Sequence, residues 1–333
     1  MTAGSFEHMR IFRHFEDLPA EFRDAVVAIG NFDGLHRGHL QVLGRAARLA
    51  EAAGTKHGVV TFEPHPRHLF QPDAPPFRLT PFRVKAAEIE RQNVDFLVAL
   101  HFDAAFAALE AEAFVDRVLI AGLGVHHIVV GYDFVFGRGR RGDAALLRRH
   151  GEEAGFGVDV VGPVGHGDAA AGGEIYASSR IREYLHGAQP MPAAERLGRW
   201  WEVDGRVREG ERRGRQIGFA TANLKLEEYL QPAIGVYAVR LLIEDDAGGW
   251  RPGVANLGNR PTFDNGELLL EVHLFDFDAD IYGRHVRVAF IEHLRAEKKF
   301  VGIDELKAQI AKDSEAARRL LADPAYAQDR FSA

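Results

Sequence analysis

"AVVAIGNFDGLHRGHLQVLGRAARLA", residues 25–50, runs from an apolar stretch of strand length into a stretch with helical spacing. The turn between them is built on Gly30, Gly34 and Gly38. "AVVAIG" shows no polar alternation and reads as a strand buried on both faces, as in a parallel sheet. "LQVLGRAARLA" reads as an amphipathic helix of strong helix formers. The glycines allow a tight turn and close approach of backbone to a ligand. His36 and His39 then fall around the first helical turn, where residues three apart are neighbours. A helix N-terminus offers unsatisfied N–H groups and partial positive charge, and so attracts phosphate. Two imidazoles there could add donors to the charge that develops as a phosphoanhydride bond breaks. Two plainer readings stand beside this one. His36 could cap a turn while His39 packs on the sheet, or the pair could hold a divalent metal. No G-x-x-x-x-G-K-[ST] phosphate loop occurs in the chain.

The same alternation continues through "HGVVTF" (57–62), "VDFLVAL" (94–100), "HHIVVG" (126–131) and "FGVDVVG" (156–162) as strands. Between them "PFRVKAAEIERQ" (81–92), "AFAALEAEAFVDRVLIAGL" (105–123) and "AALLRRHGEEAG" (144–155) read as helices. The expected fold is therefore α/β, a Rossmann-like parallel sheet covered on both faces, with ligands beyond the carboxyl ends of its strands. After about residue 200 the texture changes. "EVDGRVREG" (202–210), "GVYAVRLLIED" (235–245), "WRPGVANLG" (250–258), "ELLLEVHLFDF" (267–277) and "RHVRVAFIEHL" (284–294) are strand-length runs between turn residues. One long helix, "IDELKAQIAKDSEAARRLLAD" (303–323), follows. An antiparallel β-barrel or sandwich closed by a C-terminal helix is expected. "HGAQPMPAAERLGRWW" (186–201), with two prolines, is the candidate linker region, and the domains are placed at 1–187 and 188–333.

Composition limits the chemistry. A chain of 333 residues, 46% apolar and 27% charged, fits a two-domain globular enzyme. With no cysteine, disulfides, thiolate metal sites and cysteine nucleophiles are excluded. A formal net charge of −7 argues against nucleic-acid partners. No run approaches the ~20 apolar residues of a membrane span, and the first residues lack the order of a secretion signal. No membrane association and a cytoplasmic location are expected, with a homo-oligomer left open.

Four motifs in the first half carry a resemblance. G-N-F-D-G-x-H-x-G-H at 30–39, "TFEPHPR" (61–67), "GYDFVFGRGRRGD" (131–143) and "YASSRIREYL" (176–185) occur in this order. Read singly, the last three could be a stiff proline turn, an exposed basic loop and a pair of N-capping serines. Together they resemble the adenylyltransferase half of the prokaryotic bifunctional riboflavin kinase/FMN adenylyltransferase (FAD synthetase) family. The resemblance implies that His36 and His39 are catalytic. It assigns Gly30, Asn31, Phe32, Asp33, Asp133, Ser178, Ser179 and Arg180 to the nucleotide, and Phe62, His65 and Pro66 to the flavin. The family usually reads I-S-S-T-R-I-R where this chain has Tyr176, Ala177, Ser178 and Ser179, so the role of one hydroxyl is in doubt at Ala177.

In the second half, "ELLLEVHLFDF" sets a glutamate within an apolar strand. Period two puts Leu269, Glu271, His273, Phe275 and Phe277 on one face. A carboxylate there is costly to bury unless paired, and in a cleft it is a candidate general base. It could equally face solvent or pair with an arginine across the sheet. Thr221 and Asn223 in "GRQIGFATANL" (214–224), two apart on an extended segment, point the same way and offer oxygens suited to magnesium. Read alone, they could be a simple turn. "GRVREGERRGRQIGFATANL", "GVYAVR", "GVANLGNRPTF", "LEVHLFDF", "DIYGRHV" and "LRAEKKF" in succession resemble the riboflavin kinase domain of the same family.

The second resemblance implies that Thr221 and Asn223 hold Mg²⁺ and ATP, and that Gly205, Gly214 and Arg215 belong to a flap near ATP. Glu271 would be the base on the ribityl hydroxyl, and Arg295 a neighbour of the flavin. The family has proline where this chain has Ala220, so Ala220→Pro is expected to raise thermal stability modestly. The implied function is phosphorylation of riboflavin to FMN and adenylylation of FMN to FAD, with ATP and Mg²⁺. Two rival readings are an enzyme with one working half and a flavin- or nucleotide-binding module without turnover.

Overall fold

The computed structural model describes residues 8–16, 18–166, 174–209, 219, 221–259 and 268–331. The chain forms two compact units, residues 1–74 with 80–176, and residues 75–79 with 177–333.

The first unit is built on strands β1 (Arg10–Phe12), β2 (Val26–Ile29), β3 (His57–Glu63), β4 (Phe96–His101), β5 (His127–Gly131) and β6 (Gly157–Val161). They pair in parallel in the order β1-β4-β3-β2-β5-β6. The strands expected from the apolar runs are all present, and β1 is an addition. Alternate residues of one strand enter different cores. Val27 and Ile29 join one apolar cluster, while Val26 and Ala28 join the other. That is why the sequence shows no alternation: both faces of the sheet are covered. Replacing a side chain such as Ile29 by alanine would cost about 2–5 kcal/mol.

Helices α1 (Arg37–Ala53), α2 (Pro66–Phe70), α3 (Phe82–Glu90), α4 (Ala104–Ala107), α5 (Ala111–Phe114) and α6 (Ala144–Ala154) surround this sheet. One expected helix is broken. Residues 105–123 form α4, α5 and π-helical turns at Val115–Leu123 rather than a single rod. The break follows from a distant contact. The N–H of Arg138 donates to the carbonyl of Leu109 at 2.7 Å, and a Cβ on Gly137 would lie 2.6 Å from the Ala111 backbone. The loop at 137–138 thus takes the place of a helical hydrogen bond. A short hairpin, β7 (Gly165–His166) with β8 (Glu174–Ile175), completes the unit.

The second unit begins with α7 (Ser178–His186) and α8 (Pro190–Leu197). The proposed linker at 186–201 is therefore corrected. Pro190 opens α8 at a position where proline is tolerated. Pro190, Ala193, Ala194 and Leu197 are buried, and Trp200 is 1% exposed. Strands β9 (Trp201–Arg206), β10 (Ala222–Lys225), β11 (Gly235–Ile243), β12 (Trp250–Asn259), β13 (Leu268–Leu274) and β14 (His285–Arg295) pair antiparallel in the order β10-β13-β12-β11-β14-β9. Arg208, just past β9, donates its N–H to the carbonyl of Asn223 in β10 at 2.9 Å, so the sheet curls into a nearly closed barrel. The C-terminal helix α9 (Ile303–Leu321) sends Ala317 and Leu321 into an apolar cluster with Val236, Ala238, Val254 and Phe275.

Candidate functional site

In the first unit the chain moves from β2 to β3 to β4 along one direction of the sheet, and then returns to place β5 on the other side of β2. Ligands of open parallel sheets bind at such a switch point, beyond the carboxyl ends of the strands. The loop at Gly30–His36 leaves β2 there. Gly131 ends β5, and Asp133 lies over it, its Oδ1 3.2 Å from where a Gly131 Cβ would be.

The Gly30–His36 loop is held in a conformation that costs free energy. Phe32 and Leu35 have positive φ (49° and 41°), as does Gly34 (85°). A non-glycine residue in this region persists only when its surroundings over-determine it, and here they do. Gly34 N–H donates to Thr80 Oγ1 at 2.9 Å, and Thr80 N–H donates to Asp33 Oδ1 at 3.0 Å. Phe32 and Leu35 are buried, and Thr61 Oγ1 donates to the Asn31 carbonyl at 3.2 Å. Asp33, assigned to the nucleotide by resemblance, is 3% exposed, and its carboxylate ties the loop to Thr80.

His36 is the N-cap of α1: its Nδ1 accepts from the His39 N–H at 3.3 Å. The two rings stack with centroids 3.7 Å apart and planes 17° apart. Capping and a role toward phosphate are therefore compatible. A ring whose Nδ1 accepts carries its proton on Nε2, so the cap leaves His36 with an Nε2–H donor. Gly38 makes room for this ring, since a Cβ there would lie 3.1 Å from two of its atoms. Phe32 meets His39 edge-on at 5.3 Å.

The residues that the resemblance assigns to the flavin lie at the end of β3 and just after it. Phe62 packs with Phe102 and Phe106 at ring distances of 5.9 and 6.2 Å. His65 caps α2, its Nδ1 accepting from the Arg67 N–H at 3.1 Å, and Pro66 is the first helical residue. His36 and His65 thus use the same device and present the same tautomer.

Sequence reasoning missed Lys85. This α3 residue is 1% exposed, and its Nζ lies 3.4 Å from Glu63 Oε2, 3.2 Å from the Asn31 carbonyl and 3.3 Å from Thr61 Oγ1. The only signal was a lysine set on the same buried stripe as Ala86 and Ile89.

In the second unit β13 alternates as expected as far as Leu274: Leu268, Leu270, Val272 and Leu274 are buried, and Leu269, Glu271 and His273 are half-buried. The strand ends there, and Phe275, expected on the Glu271 face, is buried in the apolar cluster instead. Glu271 stands opposite Asn223 of β10 and opposite Asn256 of β12. Directly paired residues project from the same face of a sheet, so the three polar side chains form one row. Asn223 is 4% exposed, and its Nδ2 donates to the Thr221 carbonyl at 3.4 Å. Asn256 was not singled out from the sequence, because only strand pairing brings it to Glu271. Glu297 joins this region: a Cβ on Gly258 would lie 2.2 Å from its Oε1 and 3.3 Å from Asn256 Nδ2.

A magnesium ion prefers hard oxygen donors and keeps several waters or phosphate oxygens. Thr221 Oγ1, Asn223 Oδ1 and the Glu271 carboxylate supply that chemistry. Among the described residues no cluster of three His, Asp or Glu could hold a metal.

Other assigned residues have defined places. Arg295, the last residue of β14, grips Asp313 of α9 with Nε at 3.0 Å and Nη2 at 2.7 Å from Oδ2. Gly205 lies in β9, where a Cβ would make ordinary contact with Leu224 at 3.6 Å. Ser178 and Ser179 are the first residues of α7, so they follow the N-cap instead of forming it. Ala177 occupies that position without a side-chain bond. Arg180 pairs with Glu183 on the same helix. Gly214, Arg215 and Ala220 lie outside the described residues. Among the described residues no helix is long and apolar enough to cross a membrane.

Comparison with known proteins agrees with this division. A family model described as FAD synthetase matches residues 18–172, and one described as riboflavin kinase matches 197–321. The bifunctional riboflavin kinase/FMN adenylyltransferase of Pseudomonas fluorescens is 40% identical over 319 residues, 96% of this chain and 100% of that protein. The protein of the same description from Escherichia coli K12 is 39% identical, covering 93% of this chain and 97% of its own. A solved structure described as a macrolide-efflux protein from Streptococcus pneumoniae superposes with a TM-score of 0.81 at 30% identity, covering 94% of this chain and 99% of that one.

Proposed function

The chain belongs to the bifunctional riboflavin kinase/FMN adenylyltransferase family, and we propose that its two reactions run on the His36–His39 pair and on the Glu271 row. The barrel unit phosphorylates riboflavin to FMN with ATP, and the α/β unit adenylylates FMN to FAD.

In the α/β unit an FMN phosphate oxygen attacks the α-phosphorus of ATP. The new P–O bond forms as the α–β bridge breaks, and pyrophosphate leaves. The His36 Nε2–H, the His39 ring and the N-terminus of α1 face the charge that grows on the phosphates. The rigid loop at Gly30–Asp33 borders the nucleotide, with Asp133 on the neighbouring strand end. Phe62, His65 and Pro66 border the flavin, and the Phe102 and Phe106 rings extend the same apolar wall.

In the barrel unit Glu271 takes the proton of the ribityl 5′-hydroxyl as its oxygen attacks the γ-phosphorus of ATP, and ADP leaves. Thr221 and Asn223 would hold Mg²⁺ through their side-chain oxygens. When bound, the ion neutralises charge on the phosphates. Asn256 stands opposite Glu271 on the neighbouring strand and extends the same polar row.

The observation that carries this reading is the stacked His36–His39 pair on the N-terminus of α1, at the switch point of the sheet. A timed chromatographic assay with riboflavin, ATP and magnesium tests it. FMN followed by FAD is expected from the wild type, and FMN alone from His36→Ala/His39→Ala. FAD from that variant at the wild-type rate would refute the assignment.

A further inference from the structure

A lysine ammonium buried to 1% exposure is costly to desolvate and persists only where acceptors surround it. Those around Lys85 come from two neighbouring strand ends. The Asn31 carbonyl belongs to the loop after β2, whereas Thr61 and Glu63 belong to the end of β3. Thr61 Oγ1 also donates to the same Asn31 carbonyl, so the loop and the strand end share one closed network. Thr80, five residues before Lys85 and just ahead of α3, holds the other side of the loop through Asp33 and Gly34. Helix α3 and the residue that leads into it thus grip the loop at both ends.

The loop held in this way has positive φ at Phe32, Gly34 and Leu35, and would relax if released. It also delivers His36 to the N-cap of α1. Glu63, the acidic partner of Lys85, precedes Pro64 and His65, which open the flavin-side turn. A solvated lysine would serve no such purpose. Nor does simple charge balance explain it, because a buried ion pair is often replaceable by apolar residues without loss of stability.

We infer that Lys85 is a positioning residue for adenylyl transfer, a buried cationic strut that keeps the nucleotide loop in register with the flavin-side turn. This rests on the reading that the loop at Gly30–Asp33 borders the nucleotide. A displacement of about 1 Å in a reacting geometry lowers turnover on the order of 100-fold.

The test uses the full chain with Lys85→Met/Glu63→Gln, which removes both charges together and leaves no buried ion unpaired. A thermal melt close to that of the wild type shows that the first unit folds, and riboflavin phosphorylation by the same molecule serves as an internal control. Expected is a fall of about 100-fold in kcat for FAD formation from FMN, with a raised KM for ATP in that reaction. Phosphorylation of riboflavin should stay within about twofold of wild type, since its residues lie in the other unit. If the double variant does not fold, Glu63→Gln and Lys85→Arg are measured instead. The first keeps both bonds to the strand ends and should retain FAD formation. The second carries its charge on a longer planar fork that does not reproduce the ammonium's bonds and should lose it.

Wild-type kcat and KM in a folded double variant would overturn the inference. So would a fall in apparent kcat with KM unmoved, because that is the signature of fewer folded molecules. Equal FAD formation by Glu63→Gln and Lys85→Arg would do the same. His36→Ala/His39→Ala, assayed alongside, separates the two levels. If that variant makes FAD at the wild-type rate, the reading of the site falls. If it is inactive while the Lys85 variants are not, only the strut falls.

Discussion

The His39 N–H donates to Nδ1 of His36 at 3.3 Å, and the two rings stack 3.7 Å apart. One imidazole therefore does two things: it caps α1 and carries its proton on Nε2 as a donor. His36→Asn separates them, because asparagine is a good N-cap but has no ring. FAD formation from FMN should fall about 10²–10³-fold, the usual loss for one donor to a developing oxyanion. The melting temperature should hardly move. His36→Ala should lose the same activity and about 1 kcal/mol of stability as well. An asparagine variant with wild-type turnover would show that capping is the only role of His36.

The register of three strands makes a parallel prediction for the barrel. Asn223, Glu271 and Asn256 lie opposite one another on β10, β13 and β12. Glu271→Gln keeps the size and the hydrogen-bonding capacity of this row but removes the proton acceptor. Phosphorylation of riboflavin should fall about 10²–10⁴-fold, while FAD synthesis from supplied FMN survives. Loss of both activities in a folded protein would mean that Glu271 supports the whole chain.

Some of this was legible from residues alone, and the reason lies in the range of the interactions. Val26 to Ile29 are buried on both faces, so the strand announces itself without reference to its neighbours. The alternation of β13 is local too, and it put Glu271 on one face with Leu269 and His273 before any partner was known. The break at Leu109 was not legible, because Arg138 causes it from 29 positions away along the chain. Pro190 and Pro192 looked like a linker, but proline is equally at home in a first helical turn. Lys85 was not singled out from the sequence. Its burial depends on acceptors from two other segments, and nothing within α3 reveals them. Asn256 gains its place only when β12 pairs with β13.

Helix α7 starts on Ala177, which has extended backbone angles (φ −142°, ψ 142°) and no side-chain bond to the first turn. Serine adopts those angles freely and would accept from an N–H two or three residues on. Ala177→Ser should therefore stabilise the second unit by about 1 kcal/mol. For a domain of this size that raises the melting temperature by roughly 2–4 °C. Differential scanning calorimetry reads it directly. An unchanged or lower transition would mean that the added hydroxyl turns away from the helix.

Acid should act on the first unit through His57. This residue is 5% exposed, neither ring nitrogen has a hydrogen-bond partner, and burial lowers its pKa from 6.5 to about 4, against the opposing pull of Asp95. A histidine depressed in the folded state is protonated first in the unfolded chain. Its contribution is therefore intact above pH 6.5 and is lost as the pH falls toward 4. The loss over that window is about 3 kcal/mol, at 1.36 kcal/mol per pKa unit. His57→Leu removes the titrating group and keeps an apolar side chain in the same core. Urea unfolding of wild type and variant at pH 7.5, 6, 5 and 4.5 should show the wild type losing stability on acidification faster than the variant, with the difference opening below about pH 6.5. Parallel curves across the series would mean that His57 does not titrate in this window and that the acid sensitivity lies elsewhere.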